Sequence, residues 1–106
     1  MPITRYHPRR MALREPQLPR PKELWVNVSR TSPRKHLVYR IRWVTAERVT
    51  AHCAVTGARR VLQSHSFLQG EYGRVPPRWR QDAIQLADRK LKEIQACKKR
   101  SLRRLM

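Results

Sequence analysis

Between Leu37 and Val55 the chain alternates apolar and polar residues with a period of two, which leaves it little choice of local structure. Leu37, Tyr39, Ile41 and Trp43 take every second position, with Arg40 and Arg42 between them. After a break at Thr45-Ala46 the alternation resumes with Val49, Ala51, Cys53 and Val55, and Thr50 and His52 fall on the other side. Strand side chains point alternately to opposite faces, so the pattern predicts two consecutive antiparallel strands with one buried face. Their turn falls at Thr45-Ala46-Glu47. On this reading Tyr39 and Trp43 belong to the core, whereas Arg40 and Arg42 face outward toward a partner.

The flanking segments extend this scaffold. Leu24 to Ser29 reads as a first strand, with Leu24, Val26 and Val28 on one face and Trp25 on its back. Arg30-Thr31-Ser32-Pro33-Arg34-Lys35 is a turn of breakers and cations. Thr56-Gly57 marks another turn and leads to a fourth strand over Arg59 to Phe67. Two registers are open to that strand: a two-residue loop sets Arg60 opposite Cys53, and a loop one residue longer sets Val61 there. The second is physically preferable, because it avoids pointing an unpaired Arg into the core. Gly70 to Pro77 reads as a loop, with Pro77 placed to start a helix from about Arg78. Ala83, Ile84, Ala87, Leu91 and Ile94 share one face of that helix, and Asp88 and Lys92 form an i to i+4 pair outside. Lys98 interrupts the apolar stripe, so the packed part ends between Ile94 and Cys97.

Outside this body, residues 23–97, lie two basic segments. Residues 1–22 carry Pro2, Pro8, Pro16, Pro19 and Pro21, and six Lys or Arg against the single acid Glu15. Proline at that density excludes a continuous helix and favours extended, solvated backbone. The segment reads either as a mitochondrial targeting stretch or as a mature extension that orders against a partner. Its prolines and near-absence of Ser argue against the usual presequence helix. Residues 98–106 form the second basic segment, an arm for which a continued helix stays open. The expected fold class is therefore α+β: a small antiparallel three- to four-stranded sheet packed by one C-terminal helix, with extended basic N- and C-terminal arms.

Charge narrows the function. The chain of 106 residues has 25 Lys and Arg against seven Asp and Glu, a net charge of +18. Such an excess repels itself in a compact fold and favours polyanionic partners, and each neutralised phosphate releases counterions. Nineteen of the 25 are Arg, whose planar fork bonds phosphate bidentately and stacks on bases; a GC-rich genome also inflates Arg but does not explain the net charge. No apolar run approaches the ~20 residues needed to span a bilayer. Cys53 and Cys97 have no paired spacing and read as small hydrophobes in a reducing compartment.

Catalytic and metal constellations are poorly supported. His7, His36, His52 and His65 stand at no metal-ligand spacing, although His52 and His65 could meet across adjacent strands. The acids Glu15, Glu23, Glu47, Glu71, Asp82, Asp88 and Glu93 are scattered, which disfavours a two-metal nuclease. Only three glycines exist, and they form no phosphate loop. The expectation is a protein without catalytic activity, cofactor or small-molecule substrate. Polyanion-binding candidates are instead distributed: Arg5, Arg9, Arg10, Arg14 and Arg20 in the first segment; Arg30, Arg34 and Lys35 in the turn; Arg40, Arg42, Arg59 and Arg60 on the strands; Arg78 and Arg80 at the helix start; and Lys98, Lys99, Arg100, Arg103 and Arg104 at the end. Tyr6, Trp25 and Trp79 are interleaved with them and could stack on unpaired bases, or anchor the core edge in the case of the two tryptophans.

A small basic sheet-plus-helix body between two arginine-rich extensions resembles an organellar ribosomal protein, across the whole chain and by architecture alone. Over Arg34 to Phe67, the order of turn, long strand, second strand, Thr-Gly turn and Val61-Leu62-Gln63-Ser64 is similar to the sheet of the universal ribosomal proteins that bind 5S RNA. The alternating helices and later strand of that family are missing, so no residue roles carry over. The resemblance implies a structural constituent of the mitochondrial ribosome, with ribosomal RNA and neighbouring ribosomal proteins as partners. A DNA-binding or packaging protein, in the nucleus or cytoplasm, and an accessory subunit of a large mitochondrial protein assembly are the alternatives.

Overall fold

Val26 and Val38 face each other across two neighbouring strands, both fully buried, at the centre of a five-stranded antiparallel sheet. The structure is a computed structural model that describes residues 17–105, with side chains through residue 99. Its strands are β1 (Leu24–Asn27), β2 (Val38–Val44), β3 (Arg48–Cys53), β4 (Arg59–Gln63) and β5 (Tyr72–Arg74), in the order β4-β3-β2-β1-β5. A short helix, α1 (Ser64–Leu68), follows β4, and a 3-10 turn at Pro77–Trp79 leads into the long helix α2 (Arg80–Leu105). The expected α+β class and C-terminal helix are what the chain forms, with Pro77 opening the helical segment.

The two faces of the sheet bury separate clusters. On one, Leu24, Val26, Val28, Val38 and Val75 pack under Trp79, Ala83 and Ala87 of the helical segment. This is the α2 face. On the other, the α1 face, Trp25, Tyr39, Ile41, Val49, Ala51 and Cys53 pack with Phe67 and Tyr72. Phe67 is fully buried; its ring stacks on Tyr72 at 4.5 Å and meets Trp25 edge-on at 5.4 Å. Leu91 and Ile94, later in α2, pack against this second cluster, and Val55 packs against both. The helix thus serves both faces by running past the end of β2 and β3. Cys53 is buried and Cys97 exposed, both free thiols.

Four expectations need correction. First, the stretch from Gly70 to Pro77 is not all loop: Tyr72, Gly73 and Arg74 pair with Asn27, Val26 and Trp25 as a fifth strand. Three residues centred on a glycine carry no alternation signal; the open edge of β1 recruits them. Second, the fourth strand ends at Gln63 instead of Phe67. The Ser64 amide donates to the Glu47 carbonyl (3.1 Å) and its hydroxyl to the Thr45 carbonyl (3.2 Å), tying the chain to the hairpin tip before α1 turns away. Third, the basic segment after Lys98, open to either an extended or a helical course, continues as helix through Leu105. Fourth, Trp43 is not core. Ile41 pairs with Ala51 but Trp43 pairs with Thr50, so Arg42 is an extra residue in β2. A bulge of this kind reverses the alternation beyond it, and Trp43 emerges 57% exposed while Val44 turns inward.

Candidate nucleic-acid interface

The α2 face is only partly covered. Beyond the reach of Trp79, Ala83 and Ala87, strands β2, β3 and β4 present two cross-strand rows to solvent. Arg40 pairs with His52, which pairs with Arg59. Trp43 pairs with Thr50, which pairs with Val61, itself 55% exposed. Arg48, two residues before Thr50, shares this face and lies opposite Gln63. The bulged Arg42 lays its guanidinium 5.5 Å from the centre of the Trp43 ring, a cation–π contact of about 0.5–1 kcal/mol at an exposed site.

No Asp or Glu occurs on these three strands. The ion pairs among the described residues lie elsewhere, at Arg74–Glu23, Lys90–Glu93 and Lys92–Asp88. Among the described residues, Arg40, Arg42, Arg48 and Arg59 therefore have no carboxylate in an ion pair with them. Arg74 is different. Its guanidinium binds Glu23 at 3.1 Å, while the Arg20 amide and the Trp25 indole N–H donate to the other carboxylate oxygen at 2.7 and 3.2 Å. Burial pushes the Glu23 carboxyl up, but these three donors outweigh it and hold the group below its ordinary value. That knot anchors β5 to β1 and occupies Arg74.

Of the residues expected to meet a polyanion, the fold gathers Arg40, Arg42 and Arg59. It sends Arg60 to the opposite face. Neither register envisaged for β4 occurs: Arg60 pairs with Ala51, and the Cys53 amide bonds to the Ala58 carbonyl at 2.9 Å. The connection is longer than expected and closes through a Gly57 amide bond to the Cys53 carbonyl (2.8 Å), with Gly57 at φ +76°. An arginine on the inward side is tolerable because β4 is an edge strand, where Arg60 stays exposed. His52 meets Arg40 and Arg59 in place of His65, which lies on α1.

Arg30, Arg34 and Lys35 lie in the connection before β2, at its far end from Trp43. Arg78 sits 5.5 Å over the Trp79 ring, Trp79 and Trp25 are both buried, and Arg80 lines a cleft with Lys22, Leu24 and Val75. Arg20 and Lys99 are exposed. Arg5, Tyr6, Arg9, Arg10 and Arg14 fall outside the described residues, as do the side chains of Arg100, Arg103 and Arg104. Arg48 and Trp43 join this face without being among the residues expected there. Arg48 was findable, since it stands two positions before Thr50 on the outward parity; Trp43 was not, since the alternation runs through the bulge unbroken.

Among the described residues, no three or more His, Cys, Asp or Glu side chains come together, and no helix is long and apolar enough to cross a membrane. Compared with known proteins, the chain matches no family model, no curated protein and no solved structure.

Proposed function

We propose that this protein is a structural RNA-binding component of a ribonucleoprotein particle, the mitochondrial ribosome being the particle its architecture suits best. The observation that carries the reading is the uncovered sheet face: Arg40, Arg42, Arg48 and Arg59 around an exposed Trp43, with no acid on any of the three strands. Arg40 and Arg59 stand two strands apart, about 10 Å at the backbone, so they reach separate phosphates of one RNA. Trp43 supplies a ring on which an unpaired base stacks. The +18 charge adds a general attraction that this face focuses.

Replacing Arg40 and Arg42 together by Glu tests this face. Both are exposed, so the melting temperature should hold, while RNA affinity in filter binding falls about tenfold per arginine. Unchanged affinity would remove the face from the binding surface. Co-sedimentation of the tagged protein with ribosomal subunits in mitochondrial extract tests the particle; recovery only in a free soluble pool overturns it. Loss of association after RNase separates RNA anchoring from docking onto a protein assembly.

A further inference from the structure

The opposite face holds a second cleft, of about 360 Å³, where α2 passes the ends of β2 and β3. Leu37 and Tyr39 line it from the sheet and Leu91 and Ile94 from the helix. Arg34 on the connection before β2, Arg60 on β4 and Lys98 on α2 stand at its rim, all exposed. Thr56 and Gln95 add a hydroxyl and a primary amide. No acid lines it.

We infer that this cleft takes one unpaired nucleotide of the bound RNA, its base against the apolar lining and its flanking phosphates on Arg34, Arg60 and Lys98. The inference rests on the RNA reading above and gives it a second, separate contact, so that the protein grips RNA from both faces of its sheet. Three features favour a nucleotide over an acidic peptide. The volume falls within the range of small-ligand sites, whereas a docked peptide helix needs a groove that continues over several turns. The cations ring an apolar floor, as a base with its phosphates requires. Gln95 offers both donor and acceptor to a base edge, a capacity that a row of carboxylates does not use.

The test uses the full chain with labelled Leu and Ile methyl groups, titrated with a single-stranded RNA of about eight nucleotides, a blunt RNA duplex and an oligoglutamate peptide. The Leu91 and Ile94 methyl signals should move with the single strand and stay in place with the duplex and the peptide. Gln95→Ala, at an exposed helix position, should weaken single-strand binding about tenfold and leave duplex binding as it was. Single-strand saturation with both methyl signals unmoved overturns the cleft while leaving RNA binding by the other face intact. Movement with oligoglutamate but not RNA makes the occupant an acidic protein and also overturns it. A chain that shifts neither RNA in a gel fails at the functional reading itself.

Discussion

Arg42 decides more than its own position. β2 takes five steps from Tyr39 to Val44 while β3 takes four from Val49 to Cys53, and the spare residue is absorbed at Arg42. Up to Ile41 the odd positions face the cluster on the α1 side; after the bulge Trp43 points to the other side and faces water. Ile41, just before it, is fully buried among Tyr39, Val49 and Ala51. Ile41→Asp should therefore cost several kcal/mol, on the order of the penalty for an unpaired buried charge, read as a lowered urea midpoint. An unaltered midpoint would mean the face assignment is wrong. Two groups among the described residues contribute to the response to acid. His36 lies in left-handed backbone at φ 76° with its Nδ1 buried and unbonded. Burial, then Lys35 and Lys90, lower its pKa, against a smaller pull upward from Glu93. The folded protein thus binds this proton less readily than the unfolded chain, and stability falls as the pH drops below 6.5, the ordinary imidazole value. Glu23, also lowered, contributes stability above 4.5 that is lost on further acidification. Denaturation midpoints should accordingly fall in two stages. His36→Asn, which keeps a residue tolerant of that backbone, should abolish the first and spare the second.

At the scale of elements, the pieces with the least sequence signal depend on a few specific tertiary contacts. α1 is five residues long, with no side-chain cap at Gln63 and no acid in its first turn. An isolated helix that short is unstable in water. It exists because Ser64 is bonded to the hairpin tip and Phe67 fills the space between Trp25 and Tyr72. Phe67→Ala should cost about 3–5 kcal/mol in chemical denaturation and release both α1 and β5, since Tyr72 loses its stacking partner. Amide exchange would show those two segments opening first; protection of β5 equal to that of β2 in the variant would contradict the coupling. The Arg60 register has the same origin. An inward arginine is unfavourable in a closed core, but the five-residue connection from Ala54 to Ala58 sets the pairing, and an edge strand leaves room for the side chain.

For the whole molecule, charge and topology act together. With +18 overall, RNA affinity should fall steeply with salt, and the log–log slope counts phosphate contacts at about 0.7 each for a single strand. Replacing Arg40, Arg42 and Arg59 should flatten that slope by about 2 without changing the melting temperature. A slope left unchanged would assign the contacts to other cations, such as those of the terminal segments. Alternation and composition alone specify the hairpin from Val38 to Cys53, the amphipathic helix that follows Pro77, the α+β class and the cationic character, because each depends on neighbours within a few residues. Pairing between distant strands supplies the rest: the fifth strand, the bulge that exposes Trp43, the side on which Arg60 emerges, and the joining of Arg40, Arg48 and Arg59 into one surface. A period of two tells which residues share a face of one strand. It carries no count of the steps on the strand opposite, and a difference of a single residue between them turned a core tryptophan into a surface one.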